Sequence, residues 1–201
     1  MECIVLAPEG APWQDAAERA ASLLRAGLVA LLPAEGVYGL HASASNPLAV
    51  ERLDRLKPRA AEKRYIGLIA DPASISRWTE AGPRALALAR EHWPGALTMV
   101  LRASISIPPW LPAPDGTVAL RCPGNPFLRE VVARTGGIVL STSANQPGEG
   151  PMVRPQGALA ERVDLIVDQG TLTGVPSTII AVDGDVVRVI REGAVRVTGT
   201  T

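Results

Sequence analysis

Apolar runs and polar breaks divide this chain into short segments that predict alternating helices and strands. Residues 12–26 read as a helix, with Pro12 near its first turn and Gly27 just past its last residue. Leu28 to Leu32 is an unbroken apolar run stopped by Pro33, the signature of a short buried strand, and Pro33 to Leu40 reads as the loop that follows. Asn46-Pro47 supplies a cap and a first-turn proline for a helix reaching about Leu56. Tyr65 to Ala70 predicts a strand, and residues 83–92 a helix that Trp93-Pro94-Gly95 ends. Leu97 to Leu101 and Thr117 to Arg121 are two further strands, joined by a loop carrying Pro108, Pro109, Pro112 and Pro114.

The second half repeats this grammar. Asn125-Pro126 opens a helix that Gly136-Gly137 closes. Ile138 to Ser141 is a strand running into the polar turn Thr142-Ser143-Ala144-Asn145. A strand near Asp164 to Asp168 follows, then Ser177 to Val182 and Val186 to Ile190, joined at the hairpin signal Asp183-Gly184. Helices alternate with strands and then give way to a hairpin, so the fold class is α/β, a mixed sheet with flanking helices. No linker-like shift divides residues 1–201, and they are expected to form a single domain.

Composition narrows the function. With 47% hydrophobic and 20% charged residues the chain is not expected to be disordered, and without an uninterrupted apolar run long enough to span a bilayer it is not expected to be a membrane protein. The 20 basic and 20 acidic side chains cancel, which argues against a surface designed throughout for nucleic acid. Cys3 and Cys122 belong to no CxxC and, with no signal-peptide pattern at the start, read as reduced thiols of a cytoplasmic protein. The basic residues are lopsided: 18 are arginine, and the two lysines, Lys57 and Lys63, fall in one stretch of 51–64 that carries six cations and three anions. Such a stretch is either a solvated helix end or a binding loop.

Stock motifs are absent. There is no Walker-type phosphate loop and no GxGxxG, and His41 and His92 have no partner at metal-ligand spacing. What remains are polar groups at the ends of apolar strands, where α/β sheets place ligands. Lys57-x-Arg59 sets two cations on one side of an extended loop, able to clamp a polyphosphate. Ser143-x-Asn145 offers a hydroxyl and an amide after a strand. Arg121 and Arg191 close strands and can either hold a carboxylate or serve in salt bridges.

Taken in order, these residues resemble a known family. Pro33-x-Glu35-x-Val37-Tyr38-Gly39-Leu40, Lys57-x-Arg59, Trp93-Pro94-Gly95-x-Leu97-Thr98, Val118-Ala119-Leu120-Arg121-x-Pro123, Ser141-Thr142-Ser143-Ala144-Asn145, Ser177-Thr178 and Arg191-x-Gly193-Ala194 follow the order of the YrdC-like proteins, over residues 12–195. That family includes the threonylcarbamoyl-AMP synthases, and the chain matches its short, single-domain form. The resemblance implies a twisted mixed sheet around a deep basic cavity. It also implies the joining of L-threonine, bicarbonate and ATP into threonylcarbamoyl-AMP and pyrophosphate, on the way to N6-threonylcarbamoyladenosine in tRNA, with hand-over to a tRNA threonylcarbamoyl-transferase complex. By similarity, Lys57, Arg59, Ser143 and Asn145 would form the catalytic set around the triphosphate. Thr117 and Arg191 would contact the nucleotide, while Gly36, Arg121 and Ser177 would face the amino acid. Mg²⁺ would be held mainly by phosphates and water, with no dedicated protein ligands.

The chain departs from the family pattern in one loop. Where the family usually has two threonines, it carries Ala34 and Gly36, and Arg64-Tyr65 replaces the usual proline and apolar residues after the second lysine. Losing hydroxyls predicts a roomier, less polar amino-acid pocket that discriminates side chains poorly. Gly36→Thr should then sharpen selectivity, unless Gly36 needs a positive φ. The same departure leaves open a carbamoyl-adenylate enzyme with a different acceptor, or a catalytically silent member. An RNA-binding module is a further alternative, against which stand zero net charge and 3% aromatic residues.

Overall fold

A computed structural model describes residues 1–6, 13–57, 65–145 and 148–199. Its elements are β1 (Glu2–Val5), α1 (Gln14–Arg25), β2 (Ala30–Pro33), β3 (Tyr38–Ser43), α2 (Pro47–Leu56), β4 (Ile66–Leu68) and α3 (Ile75–Trp78). They continue as α4 (Pro83–His92), β5 (Leu97–Arg102), β6 (Thr117–Arg121), α5 (Pro126–Thr135), β7 (Val139–Ser143), β8 (Leu165–Asp168), β9 (Thr178–Asp183) and β10 (Val186–Arg191). The capping signals act as their chemistry dictates. Asn46 Oδ1 accepts from Leu48 N–H and Asn125 Oδ1 from Leu128 N–H, each followed by a proline whose missing N–H costs the first turn nothing.

Three segments differ from expectation. Tyr38 to Ser43 is a fully buried strand rather than loop. Its Gly39, His41, Ala42 and Ser43 give no apolar alternation because the strand is central and covered on both faces. Glu2 to Val5, assigned to no element above although Cys3-Ile4-Val5-Leu6 is an apolar run, forms an edge strand paired in parallel with β8. Ser143, expected in a turn, is the last residue of β7. Pro12, Arg59, Lys63 and Arg64 lie outside the described residues.

The ten strands form one mixed sheet in the order β1-β8-β2-β3-β7-β4-β6-β5-β9-β10. On one face Leu40, Leu140, Leu120 and Met99 pack with Leu53 of α2 and Leu88 of α4. On the other, α1 presents Ala17, Ala20, Ala21 and Leu24 at helical spacing, so it packs closely with Val131 and Val132 of α5 over Leu32, Leu165, Val139 and Leu68. Leu24 is fully buried there, worth roughly 2 kcal/mol of apolar transfer.

That second helical cover stops short, and the gap positions the site. Register aligns Ser141 of β7, Ile66 of β4, Ala119 of β6, Val100 of β5 and Ala181 of β9 in one row on the α1–α5 side of the sheet. All five stay partly open while their strand neighbours Leu140, Gly67, Leu120, Leu101 and Val182 are buried. The sheet therefore leaves partly open a strip that is mostly apolar, with Ser141 as its one polar side chain.

Candidate functional site

Two polar clusters stand on or beside this strip. The first is built at the end of β7. Lys57 follows the last residue of α2 with φ −134° and ψ 82°, so the chain has already left the helix. Its ammonium donates to the Ser143 carbonyl and hydroxyl and to Asn145 Oδ1, the last two at 3.0 and 3.2 Å. Asn145 is held in turn by its own amide, which donates to the Glu149 carbonyl at 2.9 Å. Lysine, hydroxyl and amide, separated by 86 and 88 residues, thus meet in one place. A positive charge thus stands beside a hydroxyl and an amide, groups that suit the oxygens of an anion. Beside Asn145 lies a cleft of about 210 Å³ whose lining includes Glu149, Met152, Arg154 and Gln156.

The second cluster gathers where β6 ends and β5 begins. The Arg121 guanidinium donates through Nε to the Gly95 carbonyl at 3.0 Å and pairs through Nη2 with the Glu35 carboxylate. Glu35 also accepts the Gly124 N–H. Arg121 is buried, and burial first, then the positive charge of Arg191, pulls its pKa down to about 10, so it stays protonated at neutral pH. Arg191 donates to the Ser177 carbonyl at 2.7 Å and the Ser177 hydroxyl at 3.2 Å; that hydroxyl lies 3.0 Å from Thr98 Oγ1. Burial also lowers the Arg191 pKa. Two guanidiniums and one carboxylate leave the cluster with an excess positive charge.

The β2–β3 loop ties the clusters together. Glu35 reaches Arg121, and three residues on the Tyr38 carbonyl accepts the N–H of Ala144, which lies between Ser143 and Asn145. Thr117 joins neither cluster: its N–H and hydroxyl both go to Asp115 Oδ1, at 3.0 and 2.7 Å. Through β4, register sets Thr117 at the same sheet end as Ser143, two strands or about 10 Å away.

Of the two uses open to Arg121, a salt bridge is present, since the Glu35 carboxylate pairs with it. Sequence reading passed over Glu35 as a partner, although an acid inside the apolar Pro33–Leu40 run was the signal. Thr98 and Ser141 stand within the motifs quoted above, but the sequence assigned neither a role.

Gly36 overturns the expected roomier pocket. Its φ is not positive. It is small because the backbone of 173–175 rests on it: Gly174 N–H donates to the Gly36 carbonyl at 2.8 Å, and a β-carbon on Gly36 would collide with the Val175 carbonyl. The Thr173 hydroxyl lies 3.0 Å from where that β-carbon would be. The space is filled, and a hydroxyl from another segment stands beside it.

Comparison with known proteins adds an independent finding. The profile of the Sua5/YciO/YrdC family, described as "Telomere recombination", matches residues 22–193. The chain is 36% identical over 162 residues to the threonylcarbamoyl-AMP synthase of Stenotrophomonas maltophilia, covering 78% of this chain and 85% of that one. It is 33% identical over 183 residues to the protein of the same name from Bacillus subtilis, covering 88% of this chain and 53%, about half, of that relative. The structure of E. coli YciO superposes with a TM-score of 0.88 at 26% identity, covering 98% of both chains. P. abyssi Sua5 complexed with L-threonine superposes with a TM-score of 0.83 at 28% identity, covering 96% of this chain and 57% of that one.

Proposed function

The chain belongs to the Sua5/YciO/YrdC family, and we propose that it forms threonylcarbamoyl-AMP from L-threonine, bicarbonate and ATP, releasing pyrophosphate. The observation that carries this reading is the convergence of Lys57, Ser143 and Asn145. Adenylation asks a carbamate oxygen to attack the α-phosphorus and a pyrophosphate to leave, so the protein has to hold and neutralise phosphates rather than supply a nucleophile. Lys57 supplies the charge and Ser143 and Asn145 the hydrogen-bonding groups, with Arg59 as the second cation on the strength of its spacing from Lys57. Thr117 and Arg191 would reach the nucleotide, and Ser177 and Gly36 would border the amino acid. Arg121, already paired with Glu35, would meet a substrate carboxylate as part of a cluster with excess positive charge.

Mg²⁺ would enter with the triphosphate and screen its charge. The ion would be carried by phosphates and water, as is usual for Mg²⁺. No helix among the described residues is long and apolar enough to cross a membrane. We place the reaction in the cytoplasm, where two unpaired cysteines are at home, and the product in the hands of a tRNA-modifying transferase.

Pyrophosphate release from ATP and bicarbonate, with each amino acid supplied in turn, tests the reading, together with the mass of the adenylate formed. Threonine-dependent release and a threonylcarbamoyl-AMP mass are expected. Release that depends on a different acceptor would favour the carbamoyl-adenylate alternative, which the altered Ala34–Gly36 loop allows. ATP turnover indifferent to every amino acid would overturn both.

A further inference from the structure

Beside the open strip, one strand over in the same row, lies a buried imidazole that neither cluster uses. His41 of β3 is directly opposite Ser141 of β7 and is 0% exposed. Its Nε2 is 3.3 Å from Ser141 Oγ, while Nδ1 has no hydrogen-bond partner. Gly39, two residues earlier on the same face, makes room for the ring, since a β-carbon there would sit 3.0 Å from His41 Cε1. Burial drives the imidazole pKa down to about 4, outweighing a weaker upward pull from the Gly39 backbone beside the ring, so at neutral pH the ring is uncharged and carries one proton. A buried N–H without an acceptor is rarer and costlier than a bare acceptor nitrogen, so that proton belongs on Nε2, facing the serine oxygen. With one lone pair of Oγ taken by Nε2–H, the hydroxyl proton of Ser141 turns to the open side. The pair does not make a nucleophile, because a neutral imidazole of such low basicity donates here and no carboxylate supports Nδ1.

We propose that His41 is a positioning residue, which by donating Nε2–H to Ser141 Oγ aims the Ser141 hydroxyl at an anionic oxygen of the bound intermediate. Ser141 is suited to that contact. It lies two residues before Ser143 on the same face, about 7 Å from the phosphate-holding cluster, in the row that floors the strip. The role rests on the adenylate-forming reading above, whereas the hydrogen bond rests on geometry alone.

Two measurements test it separately. Nitrogen-15 imidazole spectra of the wild-type chain at pH 7 should show the Nε2–H tautomer for His41, and the signal should move in Ser141→Ala. An Nδ1–H tautomer or a charged ring would overturn the proposal. In adenylate synthesis, Ser141→Ala and His41→Leu should each lower kcat/KM for the amino acid about tenfold, the worth of one hydrogen bond to a charged group. The double variant should be no worse than Ser141→Ala, because both act through one hydroxyl. His41→Gln, which keeps an N–H donor, should recover most of the loss, and it carries the test if His41→Leu does not fold. Losses that multiply, or a His41→Gln variant as poor as Ser141→Ala, would overturn the positioning role. A wild-type chain that shows the Nε2–H tautomer but makes no adenylate sinks the reaction and that role, leaving only the hydrogen bond.

Discussion

The Lys57 cluster and the Arg121 cluster use similar charges in opposite physical settings. Lys57 ends a helix in a half-buried position, and its ammonium donates to the Ser143 carbonyl and hydroxyl and to Asn145 Oδ1. Arg121 is buried, its charge already met by Glu35, its Nε committed to Gly95. A cation with water nearby costs the fold little and can be given over to a ligand. A cation withdrawn from water must be matched inside the protein, and it then becomes part of what holds the loops in place. On the proposed function the first region would do the binding, whereas the second would have to stabilise the fold before it could bind.

The sharpest way to break this comparison is Arg121→Ala. Removing one partner strands the Glu35 carboxylate in a mostly buried place, so stability should fall by about 3 kcal/mol in denaturant unfolding. A loss below about 1 kcal/mol would mean that the pair is no more structural than a surface salt bridge.

His41 extends the buried side of the comparison to pH. Its folded pKa, about 4, lies below the ordinary imidazole value of 6.5, so the fold favours the neutral ring. Above pH 6.5 neither state is protonated and no penalty arises. As pH falls from 6.5 toward 4 the unfolded chain takes a proton that the folded chain refuses, and about 3 kcal/mol of stability is lost. His41→Gln should flatten that part of the stability–pH curve; an unchanged slope would show that other groups account for it.

Gly36→Thr comes next. The added side chain meets the Val175 carbonyl, so it should cost about 2 kcal/mol and raise hydrogen exchange at 173–175. Improved threonine selectivity at unchanged stability would restore the idea of a vacant pocket.

The smallest effect on stability belongs to Lys57→Ala, under about 1 kcal/mol, although ATP affinity should fall by roughly one to two orders of magnitude. Calorimetry of the variant should also show a weaker dependence on salt. An equal loss of folding stability would erase the distinction between the two regions.

Sequence alone went far with elements that announce themselves locally. Asn46-Pro47 and Asn125-Pro126 each fix two features of a helix start within two residues, and Asp183-Gly184 places a hairpin, because caps and turns are decided by the backbone nearest them. The order of Lys57, Ser143, Asn145, Ser177 and Arg191 pointed to the family, and the fold places Lys57, Ser143 and Asn145 within hydrogen-bonding reach and Arg191 on Ser177. What the chain's order could not reveal is which neighbour each group meets. Whether Arg121 faces a substrate or Glu35, whether Gly36 leaves a hole or receives Val175, and whether His41 sees water or Ser141 all depend on segments 86 to 139 residues away. Burial sets the cost of a charge, and close packing sets the size of a pocket. Both arise only when the sheet brings distant strands side by side.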